Sequence, residues 1–159
     1  MQNKPFKQYF FLSIIFFSSC LFSQSRKLNL IILNDQEISK SIFDFKITAI
    51  NNNSLNESIT GKYIPGDLII ESKDFDRLLS SDNKDFEMSF TAISTVNPDL
   101  VKEFKYSIMI PKIYLNYDYL IINIFNMYNK NSRKKYSKLI KNNKEYYVVI
   151  ETPNSMKFD

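Results

Sequence analysis

Residues 86–93 read Phe86-Glu87-Met88-Ser89-Phe90-Thr91-Ala92-Ile93, and their period of two decides the fold class. Phe86, Met88, Phe90 and Ala92 fall on one side of an extended chain and Glu87, Ser89, Thr91 and Ile93 on the other, the pattern of a strand with one buried face. Two further stretches repeat it. Phe43, Phe45, Ile47 and Ala49 alternate with Asp44, Lys46, Thr48 and Ile50. Phe104, Tyr106, Ile108 and Ile110 alternate with Lys105, Ser107 and Met109.

Weaker strand signals fill the gaps at 28–33, 59–64, 67–72, 119–125 and 146–150. The 119–125 stretch is apolar on both faces except for Asn123, as an interior strand requires. Pro65-Gly66 suits the two central positions of a type II turn. Asn51-Asn52-Asn53, Ser81-Asp82-Asn83 and Asn97-Pro98-Asp99 supply turn chemistry between the other runs. Seven or eight short strands with no alternating long helices predict an all-β, antiparallel β-sandwich, immunoglobulin-like or transthyretin-like in general shape. A small closed β-barrel is the alternative.

Two short helices interrupt the pattern. Phe75, Leu78 and Leu79 have i, i+3, i+4 spacing behind Ser72, a candidate N-cap. Residues 132–141 place Tyr136, Leu139 and Ile140 on one face with Asn142-Asn143 as a stop. That reading puts Arg133, Lys134 and Lys135 in the first turn, where the helix dipole opposes them.

The N-terminus differs from everything after it. Lys4 and Lys7 are the only charges before Arg26, and an apolar run from Tyr9 to Phe22 follows them. A basic start, a short apolar run and a small-residue exit make a secretory signal peptide over 1–23, leaving one β-sandwich domain over 24–159. The run is short for a membrane span, which needs about 20 residues; an uncleaved anchor or a buried helix is the alternative. Ser23 before Gln24 marks the expected cut. Phe17-Ser18-Ser19-Cys20 offers a competing lipobox reading in which Cys20 is acylated, although Phe17 and the apolar Leu21-Phe22 depart from that pattern. Either way the mature chain carries no free thiol and no disulfide, so packing alone must hold it.

The full chain has 159 residues, 21 Lys+Arg and 17 Asp+Glu, a net charge of +4. Without residues 1–23 the balance is 19 basic to 17 acidic, nearly neutral. Any attraction for polyanions must therefore be local. The absence of His removes imidazole general bases, Ser-His or Cys-His nucleophile pairs and the usual zinc sites. Gly61 and Gly66, the only two glycines, cannot form a phosphate-cradling loop. No metal ion or cofactor is expected.

Lys130, Arg133, Lys134, Lys135, Lys138, Lys141 and Lys144 occur with no carboxylate between Asp118 and Glu145. Such a run can make a basic face for an anionic partner, such as a sugar acid or an envelope polymer, with Tyr128 and Tyr136 adding ring contacts. Its plainer reading is a solvated lysine-rich connection that guards an edge strand. Tyr114, Tyr117 and Tyr119 surround Asn116 and Asp118, a composition suited to sugar or protein contacts or to rings half-buried beside a strand. Asp74, Asp76, Asp82, Asp85 and Glu87 are candidates for glycosidic general acid/base work or for Ca²⁺, but Lys73, Arg77 and Lys84 are interleaved with them. Ser132 and Lys135 have Ser-x-x-Lys spacing, without the Lys-Thr-Gly partner motif of that chemistry.

These features together predict an exported, non-catalytic sandwich of the bacterial cell envelope, in the periplasm or outside the cell, that binds a protein or glycan. Nucleic acid is an unlikely partner, and membrane contact is expected only through the leader or a Cys20 lipid. A carboxylate-dependent glycoside hydrolase and a periplasmic inhibitor of a secreted enzyme are the alternatives.

Overall fold

A computed structural model describes residues 25–50, 57–80, 85–97, 100–140 and 144–153. Cys20, Lys141, Asp82 and the turns at 51–53, 81–83 and 98–99 lie outside them. The chain forms two packed sheets, an all-β sandwich. The larger contains β1 (Ser25–Asn34), β2 (Glu37–Ile38), β5 (Lys62–Ile64), β6 (Gly66–Glu71), β9 (Leu120–Asn126) and β10 (Tyr146–Glu151). The smaller runs β4 (Ser58–Thr60), β3 (Ile42–Ala49), β7 (Asp85–Asn97), β8 (Leu100–Pro111).

The smaller sheet is antiparallel throughout and obeys the alternation that predicts it except at Phe43, which is exposed because Asp44 sits at φ 52° and the register with β7 shifts between Phe43 and Lys46. Phe45, Ile47, Phe86, Met88, Phe90, Phe104, Tyr106, Ile108 and Ile110 enter one core with Leu30, Ile32, Leu68, Ile122 and Ile124 of the larger sheet. Each fully buried side chain of this kind contributes about 1.5–3 kcal/mol relative to exposure.

The larger sheet departs from the antiparallel expectation, because β1 and β9 pair in parallel from Leu30↔Leu120 to Asn34↔Ile124. The two-faced apolar character of β9 accommodates this: it lies between β1 and β10, and all but one of its residues are buried. Among the described residues the strands number ten, above the predicted seven or eight. Two additions explain the difference. The short β2 forms a hairpin with β1 through Asp35 and Gln36, both at positive φ (50° and 75°). The 59–64 stretch is cut at Gly61 into β4 and β5, which belong to different sheets. A Cβ at Gly61 would stand 2.8 Å from Leu68 Cδ1, so only glycine passes here without displacing the core. The Pro65-Gly66 turn forms as expected, with Gly66 at φ +99° between paired Ile64 and Asp67.

Two tyrosine hydroxyls take up backbone groups where strand pairing runs out. The Ile32 N–H donates to Tyr63 Oη at 3.1 Å, between the end of the β1–β6 ladder at Leu30 and the start of the β1–β2 ladder at Leu33. On the opposite side, Tyr146 Oη of β10 accepts the Ser107 N–H at 2.9 Å and donates to the Ser107 carbonyl at 2.8 Å. That contact joins the larger sheet to the edge strand β8 of the smaller one.

Helix α1 spans Ser72–Ser80 and buries Phe75 and Leu78, as the spacing predicts. Helix α2 spans Lys130–Tyr136, earlier than predicted, and a 3₁₀ turn continues it over Ser137–Leu139. Asn129 is its N-cap, its side chain accepting the backbone N–H groups of Asn131 at 2.9 Å and Ser132 at 3.4 Å. Arg133, Lys134 and Lys135 therefore occupy the last turn, where the dipole favours cations, and the buried residue is Ser132 rather than Leu139.

Candidate functional site

Two surfaces collect the side chains that the sequence singles out, and a buried polar knot supports one of them. The first is a groove of about 390 Å³ between the start of β1, α1 and the 3₁₀ segment Lys112–Asn116. Leu28, Phe75 and Leu115 line its buried apolar part, and Arg26, Lys27, Asn29, Asn116, Tyr117 and Asp118 its polar part. Pro111 ends β8 and starts the 3₁₀ turn, whose Leu115 enters the core while the Tyr114 and Tyr117 rings pack together at 5.5 Å. The tyrosine cluster thus sits on a turn rather than on strand flanks, half-buried, with Tyr117 facing the groove. Asn29 Nδ2 donates to the Asp118 carbonyl at 2.7 Å and fixes the far wall. Arg26 lies 5.3 Å from the Phe75 ring centre and 3.0 Å from Asp76, and Lys27 lies 3.1 Å from Asp67.

Among the described residues the acidic candidates Asp74, Asp76, Asp85 and Glu87 do not converge on this groove or elsewhere. Asp74 pairs with Arg77 at 3.5 Å and Asp76 with Arg26. Glu87 accepts the Ser107 hydroxyl, and Asp85 is exposed at the start of β7. Among the described residues no three His, Cys, Asp or Glu side chains group as metal ligands would. Ser132 and Lys135 do not form a pair either: Ser132 Oγ donates to Asp35 at 2.5 Å, and the Lys135 ammonium lies 5.1 Å from the Tyr136 ring centre.

The second surface is α2 with the approach to β10. Lys130, Arg133, Lys134, Lys135, Lys138 and Lys144 are all exposed, and among the described residues none has a carboxylate within ion-pair distance. Tyr136 packs 4.3 Å from Phe125 and 5.0 Å from Tyr147, so its ring seats the helix on the outer side of the larger sheet. Beside it, Lys102 Nζ donates to Tyr128 Oη at 3.0 Å and lies 4.1 Å from that ring's centre. This hydrogen bond raises the Lys102 pKa.

The third feature is a buried polar knot that positions the second surface. Asp35 Oδ1 accepts from Ser132 Oγ and, at 3.1 Å, from the Asn126 N–H, while Oδ2 accepts from Asn126 Nδ2 at 3.2 Å. Asn126 Nδ2 also donates to Asn34, and its Oδ1 accepts from Tyr106 Oη at 2.9 Å. Burial pushes the Tyr106 phenol up to about 12, with the Asn126 hydrogen bond acting in the opposite direction. The left-handed backbone at Asp35 is unfavourable for most L residues, and Asp tolerates it better than most. Three accepted hydrogen bonds offset what it costs. Sequence reading passes over this knot, since Asn34, Asp35, Asn126 and Ser132 are scattered along the chain. The one visible signal is Asn34-Asp35, a turn pair after an apolar run.

The chain matches no protein-family model, no curated protein and no solved structure. Among the described residues no helix is long and apolar enough to cross a membrane.

Proposed function

We propose that the chain is exported through its N-terminal leader, cut before Gln24, and that the mature sandwich is a non-catalytic binding domain of the bacterial cell envelope, recognising a protein or glycan. The observation that carries this reading is the groove beside α1. It combines an aromatic ring, amides and both signs of charge over an apolar floor, which is a recognition surface. Asp67, Asp74 and Asp76 beside it are held in ion pairs, and among the described residues its lining carries one carboxylate, Asp118, where paired-carboxylate hydrolysis needs two. Tyr117 supplies ring area at low entropy cost, while Asn29, Asn116 and Arg26 supply directional donors.

Intact-mass measurement of the native protein tests the export half: a chain starting at Gln24 supports it, and an uncleaved precursor overturns it. For the binding half, cross-linking capture from envelope extract is combined with thermal-shift screening of envelope glycans. A partner lost on Tyr117→Ala supports the reading, and absence of any specific partner in both assays overturns it.

A further inference from the structure

We propose that the α2 face is a second binding site, separate from the groove, and that its ligand is an acidic polysaccharide chain. Six cations on this face, Lys130, Arg133, Lys134, Lys135, Lys138 and Lys144, are exposed and without an ion-paired carboxylate among the described residues. Elsewhere Arg26, Lys27, Lys73 and Arg77 have acidic partners within 3.5 Å, and the exposed cations that lack one among the described residues, Lys40, Lys46, Lys62 and Lys105, are spread over separate strands and loops, whereas Lys130, Arg133, Lys134, Lys135 and Lys138 fall within nine residues. Two acids neighbour this face: Glu145, whose charge acts on Lys102, and Asp35, whose carboxylate is taken up by Ser132 and Asn126. Lys130 and Lys134 are one helical turn apart, roughly 5–6 Å along the axis, and Lys138 extends the same side of the chain into the 3₁₀ turn. Like charges at this spacing repel, and a ligand carrying successive negative charges relieves them together, whereas a single small anion reaches one or two.

The rigidity of the face favours recognition. Asn129 caps α2, Ser132 is bonded to Asp35, and Tyr136 packs against the paired residues Phe125 and Tyr147. Those same contacts argue for a polysaccharide over the other polyanions. Single-stranded nucleic acid binds by stacking bases on free rings, and here the Tyr136 ring lies against Phe125 and Tyr147 while the Tyr128 ring carries the Lys102 ammonium 4.1 Å from its centre. An anionic bilayer needs a broad apolar face to insert, and the large apolar or aromatic side chains exposed on α2 and its flanks are Tyr128 (42%) and Leu139 (54%). Lysines, as compact point charges on flexible stems, suit carboxylate or sulfate groups spaced along a sugar chain.

The test uses the mature chain and a labelled polyuronate oligosaccharide in fluorescence anisotropy, with neutral dextran, single-stranded DNA of matched charge and phosphatidylglycerol vesicles as parallel probes. The expected result is polyuronate binding that weakens linearly in log K with log salt and falls about tenfold or more in the triple variant Lys130→Glu, Lys134→Glu, Lys138→Glu. The triple Lys→Arg variant should retain binding, and both variants should melt close to the parent. Unchanged affinity in the Glu variant, equal binding of dextran, or tighter binding of DNA or vesicles overturns the proposal. Tyr117→Ala distinguishes this site from the groove: it should leave polyuronate affinity unchanged, whatever becomes of the groove's partner.

Discussion

The two helices occupy opposite regimes of attachment. Helix α1 is held by hydrophobic burial: Phe75 and Leu78 enter the core, and the charges around them are matched, Lys73 with Glu71 and Arg77 with Asp74 and Glu57. Helix α2 buries only Ser132; a hydrogen bond to Asp35 and the stacking of Tyr136 hold it while its cations stay unmatched. A helix anchored through its apolar side leaves its charges free to neutralise one another. A helix anchored by a polar knot and one ring can carry excess charge outward, because its attachment does not depend on that charge.

The sharpest way to break this contrast is to attack each anchor. Leu78→Ala should destabilise the whole domain by about 3–4 kcal/mol, through lost burial and a cavity, read as a cooperative drop in a denaturant midpoint. Asp35→Ala should cost somewhat less, about 2–3 kcal/mol, since it strips partners from Asn126 and Ser132. Its effect should concentrate on α2, with the fastest amide exchange gained at residues 130–136 and little change in α1.

Alkali probes the same knot without mutation. The unfolded chain sheds the Tyr106 proton near pH 10, whereas the folded protein keeps it to about 12. The unfolded state thus binds fewer protons across that window. Stability is fully present below pH 10 and declines as pH rises toward 12, by about 2 kcal/mol. Tyr63, also raised by burial, adds in the same direction. Tyr106→Phe should flatten most of this slope in urea titrations at pH 9 to 12.

The smallest effects come from the surface charges, and their sign separates the helices. Arg77→Ala removes two partly exposed ion pairs and should cost less than about 1 kcal/mol. Lys130→Glu puts an acid in the first turn of α2 and removes a repulsion with Lys134, so it should stabilise by about 0.3–1 kcal/mol. A destabilising Lys130→Glu would show that the cations of α2 are structural after all.

The smaller sheet is readable because its strands have one wet face: 86–93 and 104–110 emerge as drawn, and so does 45–49, whereas Phe43 leaves the pattern because Asp44 at φ 52° and a register shift before Lys46 turn its ring outward. Strand β9 was readable as interior from its two-sided apolar run, yet its direction was not, since parallel and antiparallel neighbours ask for the same side chains. The break at Gly61 escaped notice because a lone glycine in a strand pattern marks a close approach without saying to what. The sequence points to the wrong start of α2 for a local reason: Ser132 resembles an N-cap, while the true cap, Asn129, is followed by Lys130, a cation that the dipole opposes in a first turn. Of the candidate sites, the basic run is legible as composition, but its anchoring depends on Asp35, about a hundred positions earlier in the chain. The groove mixes β1, α1 and the 112–118 turn, and no window of sequence contains it.

Gly61 also limits how this chain can vary in length. With one residue between strands of opposite layers, there is no slack in which to lose or gain a step. An inserted residue there would reverse the in–out parity of everything up to the Pro65 turn and swing the Tyr63 hydroxyl away from the Ile32 amide it serves. Length changes should accumulate elsewhere, and a homologue with an extra residue at this junction would need a different way of closing that side of the sandwich.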